Sequence, residues 1–118
     1  MKHVVITGAN RGIGLELARH YQSEGWRVTG VCRETSPELE MVAEQVVAGI
    51  DVTSKACVDR LVEALHGQVI DLLINNAGLL QDEHLGSIDF DSIRTQMEIN
   101  AYAPLRISEA LLPNLKAG

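Results

Sequence analysis

The chain has 118 residues, which leaves room for one domain, and its 46% of apolar residues is typical of a globular protein. Its formal charge of −6 argues against nucleic acid as a partner. No apolar run reaches the ~20 residues that span a membrane. Because Cys32 and Cys57 show no disulfide or metal-site spacing, we expect a cytoplasmic protein without a metal site.

The N-terminal segment predicts a strand, a glycine-rich turn and a helix in direct succession. Residues 2–6 form a short apolar run, and three glycines follow it: Gly8, Gly12 and Gly14. Glycines allow a tight turn and a close approach of the backbone to a ligand. The first turn of a helix leaves N–H groups that an anion can accept. This arrangement predicts a phosphate-binding turn.

Two segments carry a resemblance to a known family. The stretch Thr7-Gly-Ala-Asn-Arg-Gly-Ile-Gly14 resembles the cofactor motif of the short-chain dehydrogenase/reductases, and Asn75-Asn-Ala-Gly78 resembles their second signature. Asp51 with Val52, and Asn100, fall where that family has its adenine-contacting acid and its active-site Asn. The four matches follow in order over the whole chain. The opening is also similar to small carbonyl reductases and C-factor-like proteins.

The resemblance implies an α/β fold, a Rossmann-type doubly wound parallel sheet with strand order 3-2-1-4 that is truncated after the fourth strand. The second, third and fourth strands are expected at 27–31, 46–50 and 71–74. Residues 1–118 would form a single dinucleotide-binding domain, the N-terminal part of a longer enzyme. The family's Ser and Tyr-x-x-x-Lys, which complete its active site, have no counterpart in these residues.

The same resemblance assigns a set of residues to cofactor binding. These are Gly8, Asn10, Arg11, Gly12, Ile13, Gly14, Arg33, Asp51, Val52, Asn76, Ala77 and Gly78. Within the second signature, Asn75 is expected to tie neighbouring strands together. Asp51 is expected to accept a hydrogen bond from the adenine amino group. Its alternative role, which Thr53 shares, is to cap the helix that follows.

Basic residues favour NADP(H) over NAD(H), although NAD(H) remains possible. An acid after the second strand selects the ribose hydroxyl of NAD, whereas an Arg accommodates the 2′-phosphate of NADP. Here Cys32 and Arg33 occupy that place, and Arg11 lies within the glycine turn. The alternative is that both arginines are solvated, or that Arg33 pairs with Glu34 or Glu38.

Asn100 is the predicted catalytic residue. Pro104 has no N–H and removes the helical partner of the carbonyl four residues earlier, which belongs to Asn100. In the family this carbonyl holds a water in a proton relay. An ordinary proline kink is the alternative.

The predicted function is therefore NADP(H)-dependent oxidation or reduction of a small carbonyl or alcohol substrate. The alternative is a non-catalytic dinucleotide-binding or dimerising module. Tyr102 and Arg106 mimic the missing motif but overlap the Asn100 helix. An exposed fourth strand and one face of the last helix predict a homo-oligomer.

Overall fold

The computed structural model describes residues 1–78, 86 and 89–118. In chain order these residues form β1 (His3–Thr7), α1 (Gly12–Ser23), β2 (Arg27–Val31), α2 (Pro37–Val42), β3 (Gln45–Val47), α3 (Lys55–Ala64), β4 (Leu72–Ile74), α4 (Phe90–Met97), a π-helical segment (Glu98–Tyr102), α5 (Ala103–Ala110) and α6 (Leu112–Lys116). No helix in these ranges is both long and apolar enough to cross a membrane.

The four strands form one parallel sheet in the order β3-β2-β1-β4, which confirms the predicted topology. Parallel neighbours require crossover connections, and helices supply them on both faces of the sheet. The central strand β1 is buried along its whole length. Its alternating side chains divide the core into two clusters, as the two-residue period of a strand dictates.

One cluster lies between the sheet and α3 and α5. It contains Val5 of β1 with Leu61 and Leu65 from the α3 region, and Ile107 and Leu111 from the α5 region. The other cluster lies beneath α1 and α2. There Val4 and Ile6 of β1 pack with Leu15, Ala18 and Leu39. Helices therefore cover both faces of the sheet, and its strand ends are left as the place for a ligand site.

Side-chain caps start three of the helices. Ser36, Ser54 and Asp89 accept hydrogen bonds from the first-turn N–H groups of α2, α3 and α4. The expectation that Asp51 or Thr53 caps α3 is therefore wrong. Asp51 Oδ1 instead accepts from the backbone N–H and the hydroxyl of Thr53, at 2.9 and 2.7 Å. These bonds shape the turn between β3 and α3.

The third strand is shorter than predicted and ends at Val47 instead of residue 50. Gly49 adopts a left-handed backbone conformation with φ +73°, which breaks the extended ladder. The chain still follows β2 closely, because the N–H of Gly49 donates to the carbonyl of Arg33 at 2.9 Å. Asp51 consequently follows an irregular turn and not a strand end.

The helix before Pro104 widens into a π-helical segment and is not an ordinary proline kink. The N–H of Ala103 donates to the carbonyl of Glu98, five residues earlier. Proline cannot donate a helical hydrogen bond, so a wider turn ahead of it is a physically reasonable accommodation. Asn100 lies in the middle of this segment.

Candidate functional site

A groove of about 800 Å³ opens where the sheet's strands end. Its walls come from the residues that follow the carboxyl ends of all four strands, with Thr95 of α4 and Ile99 of the π-helical segment. In open parallel sheets, ligands bind outside these strand ends. The groove is therefore the candidate ligand site.

Eleven of the twelve residues predicted to bind cofactor line this groove. They are Gly8, Asn10, Arg11, Gly12, Ile13, Arg33, Asp51, Val52, Asn76, Ala77 and Gly78. The fold therefore brings together segments that lie up to 70 positions apart in the sequence. Their assignment to cofactor binding remains a prediction.

Gly14 is the twelfth residue, and it packs behind the groove. A Cβ atom at this position would lie 2.1 Å from the carbonyl oxygen of Gly8 and 2.6 Å from Nδ2 of Asn76. Both distances are far below van der Waals contact. Gly14 therefore permits the close approach of α1 to the end of β1, one of the roles that glycines have in such turns.

Hydrogen bonds join the end of β4 to the glycine turn. The hydroxyl of Thr7 accepts from the backbone N–H groups of Asn76 and Ala77, both at 3.0 Å. The side-chain amide of Asn76 donates to the carbonyl of Gly8 at 3.2 Å. Asn75, which was expected to tie the strands, donates instead to Ser108 of α5 at 3.3 Å. The tie between strand ends belongs to Asn76.

The N-terminus of α1 faces this groove without a side-chain cap. Its capping position is Arg11, whose side chain accepts no hydrogen bond from the first turn. In this respect α1 differs from the three capped helices α2, α3 and α4. Uncapped N–H groups, together with the helix dipole, favour an anion at this end of the helix.

Two arginines belong to the wall of the groove. Arg11 and Arg33 line it, and neither forms an ion pair with a described residue. The alternative pairing of Arg33 with Glu34 or Glu38 is therefore absent among the described residues. Glu34 lines the groove as well, so an acid does stand beside Arg33, one position after it.

Asp51 lines the same part of the groove as an ionised carboxylate. Hydrogen bonds from Thr53 hold the pKa of this carboxyl below its usual range, and the nearby charge of Arg33 lowers it further. Cys32 is buried, and its burial, together with the charge of Glu40, raises the pKa of its thiol. Cys32 therefore contributes an uncharged thiol to the groove wall at neutral pH.

Asn100 lies against the second signature. A Cβ atom on Gly78 would be 3.2 Å from Oδ1 of Asn100, so the Asn side chain packs over the Cα of that glycine. The π-helical segment thus brings Asn100 beside Gly78, although Asn100 itself does not line the groove. Short π-helical segments occur often at functional sites.

Sequence reasoning missed five residues of the groove wall. They are Cys32, Glu34, Ile50, Thr95 and Ile99. Thr95 and Ile99 are four positions apart, so they share one helix face, and this spacing is a signal that the sequence did contain. Within the described ranges, no group of three metal-binding side chains is present.

The sheet order, the glycine turn and the groove at the strand ends define a Rossmann-type α/β protein. Comparison with known proteins narrows this class to one family. A family model described as short chain dehydrogenase matches residues 2–118. The chain belongs to the short-chain dehydrogenase family, which is a family of oxidoreductases.

Individual relatives agree with this assignment. The chain is similar to 1-hydroxy-2-glutathionyl-2-methyl-3-butene dehydrogenase of Rhodococcus sp. strain AD45, with 35% identity over 120 residues that cover 100% of this chain and 53% of the relative. NADPH-bound carbonyl reductase from chicken fatty liver is 30% identical with a TM-score of 0.79, covering 98% of this chain and 52% of that one.

A further solved structure, the Pseudomonas aeruginosa RhlG/NADP active-site complex, is 28% identical with a TM-score of 0.88 and covers 98% of this chain and 48% of that one. The chain spans about half the length of these relatives.

Proposed function

We propose that this chain is the cofactor-binding part of an NADP(H)-dependent oxidoreductase that acts on a carbonyl or alcohol substrate. The observation that carries this proposal is the groove in which the glycine turn, Arg11, Arg33 and Asp51 meet. Two structurally similar proteins are described with NADPH or NADP bound, which supports the choice of cofactor by analogy.

The residues of the groove fit a dinucleotide. Gly8 and Gly12 have φ of +63° and +58°, and a Cβ on Gly12 would project into open space. The uncapped first turn of α1 would hold the pyrophosphate, and Arg11 and Arg33 would hold the 2′-phosphate. Bound NADP(H) would supply or accept the hydride of the reaction.

Asn100 is the proposed active-site residue of this chain. What supports this role is that the Asn100 side chain packs over Gly78, a groove-lining residue of the second signature, beside which the family resemblance puts the nicotinamide. Its role would be to position groups for proton transfer, since a proton must reach the substrate oxygen during carbonyl reduction.

The 118 residues contain no Tyr-x-x-x-Lys motif. Tyr102 does not replace it, because its side chain is half exposed and Arg106 of the same helix is paired with Glu98. We propose that a Ser and a Tyr-x-x-x-Lys outside these residues complete the catalytic site. A positioned acid contributes ~10²–10⁴-fold to the rate, so this chain alone should not reduce carbonyls measurably.

Self-association is the proposed quaternary state. Four of the five large hydrophobic side chains that are exposed along the helical stretch 90–112 recur at regular intervals, and we name them the outer stripe: Phe90, Met97, Leu105 and Leu112. Their spacing of seven or eight residues corresponds to about two turns, the longer interval including the π-helical segment. Exposed apolar side chains that recur in this way favour contact with a second copy.

Titration calorimetry with NADPH and NADH tests the proposed cofactor. NADPH should bind more tightly, and Arg33→Gln should weaken NADPH by about tenfold or more while changing NADH little, since a hydrogen bond to a charged group contributes ~1.5–3 kcal/mol. Arg19→Gln is the matched control, because Arg19 is exposed and lies outside the groove. Equal affinities of the unmodified chain for both nucleotides would contradict the proposal.

Following NADPH consumption with aldehydes and ketones tests the proposed division of the active site. The purified chain should show no turnover. Turnover that survives purification and disappears in Tyr102→Phe would show that Tyr102 is a genuine proton donor.

A further inference from the structure

The loop between β2 and α2 is tied to the glycine turn by the side chain of Ser36. Its hydroxyl donates a hydrogen bond to the backbone carbonyl of Asn10 at 2.7 Å, across 26 positions of the sequence. The same oxygen accepts from the N–H of Leu39 at 3.2 Å and so caps α2. A serine hydroxyl has one donor and two acceptor positions, so both bonds can form at once. Ser36 thus joins the start of α2 to the glycine turn.

The loop that carries Arg33 is anchored on both sides. Leu39 is fully buried in the core beneath α1 and α2, which fixes the start of α2 and with it Ser36. At the other side, the backbone carbonyl of Arg33 accepts from the N–H of Gly49 at 2.9 Å. The loop therefore has little freedom as long as the hydroxyl of Ser36 keeps its bond to the glycine turn.

The bond from Ser36 connects the two segments that carry the arginines of the groove. Asn10 directly precedes Arg11, and Ser36 follows Arg33 by three positions. Asn10, Arg11 and Arg33 all line the groove. Neither guanidinium is paired with a carboxylate of a described residue, so ion pairs with those residues do not hold the two side chains in place. The connection between their backbones sets their relative position instead.

Another hydrogen bond joins the same two segments nearer to the sheet. The N–H of Ala9 donates to the carbonyl of Val31 at 3.4 Å, which is long for such a bond. Ala9 and Val31 precede the arginines of their segments, whereas Ser36 lies beyond Arg33. The bond from Ser36 therefore closes the loop that carries Arg33, and the bond from Ala9 does not.

We propose that Ser36 is a positioning residue that strengthens the preference for NADPH by holding the loop of Arg33 against the turn of Arg11. Two guanidinium groups bind one phosphate strongly only when both reach it together, and a loop that is already ordered loses less entropy on binding. Ser36 itself contacts no phosphate in this arrangement. The inference rests on the proposed function, because it concerns the 2′-phosphate of the same cofactor.

Titration calorimetry of Ser36→Ala with NADPH and NADH provides the test. The variant loses the bond to Asn10, so its preference for NADPH over NADH should fall by about two- to tenfold, the range expected for one neutral hydrogen bond. The loss should appear in the affinity for NADPH, because NADH has no 2′-phosphate. Ser36→Thr keeps the hydroxyl and should keep the preference. A fall in Ser36→Thr as large as in Ser36→Ala would show that the hydroxyl is not the cause.

Two further variants separate the bond to Asn10 from the helix cap. Ser54 is the equivalent cap of α3, where it accepts from the N–H of Cys57 at 3.3 Å, and it lies outside the groove. Ser54→Ala should therefore leave the preference unchanged. Ser36→Gly removes the hydroxyl at a capping position where Gly is well tolerated, so it should stay folded and show the same fall as Ser36→Ala.

A double-mutant cycle shows whether Ser36 acts through Arg33. In the Arg33→Gln background, Ser36→Ala should change the affinity for NADPH by less than about twofold, because the group that Ser36 positions is gone. Additive effects of the two substitutions would overturn the inference. Equal weakening of NADPH and NADH by Ser36→Ala would also overturn it, since that pattern indicates a general loosening of the glycine turn, and so would no change in either affinity.

Failure of this inference is distinguishable from failure of the proposed function. A chain whose preference for NADPH falls in Arg33→Gln but not in Ser36→Ala would refute only the role of Ser36. A chain that binds NADPH and NADH equally, or binds neither, would refute both.

Discussion

The side-chain amide of Asn76 donates a hydrogen bond to the carbonyl oxygen of Gly8, 68 positions earlier in the chain, at 3.2 Å. This bond links the end of β4 to the turn that would hold the pyrophosphate. The geometry of the glycine turn therefore depends on a residue of the second signature.

Asn76→Asp should destabilise the fold by ~1–3 kcal/mol, because a carboxylate oxygen would face the Gly8 carbonyl and the donor would be lost. Urea denaturation followed by circular dichroism measures the change. Asn10→Asp introduces the same charge in the same groove, where the Asn10 side chain forms no hydrogen bond with a described residue, and should change stability less. Equal effects of the two substitutions would contradict the importance of the bond.

Gly14→Ala and Gly12→Ala should differ sharply although they are two residues apart. An added Cβ at Gly14 meets the Gly8 carbonyl oxygen at 2.1 Å, and backbone cannot move aside cheaply. Its effect should reach or exceed the upper end of the ~1–3 kcal/mol range for overpacking. Gly12 has open space around it, so a Cβ there meets no atom. Gly12→Ala should lose only ~1–2 kcal/mol of stability, the cost of holding Ala at a φ of +58°. Thermal melts that rank the two variants in the opposite order would refute this explanation.

His3 should make the stability of the fold sensitive to acid. The side chain is buried, with Nδ1 2.8 Å from the carbonyl oxygen of Val69 and Nε2 2.7 Å from the hydroxyl of Thr29. A carbonyl only accepts, so Nδ1 carries the proton and neutral Nε2 accepts from Thr29. Burial lowers the pKa of His3, the Val69 carbonyl opposes this shift, and the smaller effects of Arg27, Asp71 and Glu44 partly cancel.

The lowered pKa fixes the sign of the pH dependence. The unfolded chain binds the His3 proton more readily than the folded chain, so stability is complete above the usual histidine pKa of ~6.5 and falls as the pH drops below it. Urea denaturation at pH values between 7.5 and 5 should show this loss of unfolding free energy. His3→Gln should reduce the slope of that free energy against pH. His66→Gln, at an exposed position, should retain it. A slope unchanged in His3→Gln would assign the loss to other groups.

The outer stripe should control self-association. Leu105 is its most exposed member at 70%, and Leu105→Lys places a charge in the proposed contact. Burial of a leucine contributes ~1.5–3 kcal/mol, so the dissociation constant should rise at least about tenfold. Analytical ultracentrifugation provides the measurement. Met41→Lys, at an 84% exposed apolar residue of α2, is the control and should leave the constant unchanged. A monomer at high concentration in the unmodified chain would contradict the proposal.

Local sequence patterns predicted well those elements whose bounds depend on residues that are close together in the chain. The strand at 27–31 has the predicted bounds. The third strand was predicted to end three residues too late, because Val46 to Ile50 reads as a continuous apolar run around Gly49. Only the folded chain shows Gly49 in a left-handed turn that ends the ladder.

The sequence by itself determined the family, the order of the strands and nearly all of the residues that line the groove, because glycine spacing, apolar runs and the two signatures are local patterns. Tertiary structure alone decided which atoms meet. It assigned the tie between strand ends to Asn76 and not Asn75, placed Gly14 behind the groove, and brought Thr95 and Ile99 to the site from α4 and the segment after it. The physical reason is that these contacts join residues tens of positions apart, and their geometry depends on how helices pack on the completed sheet.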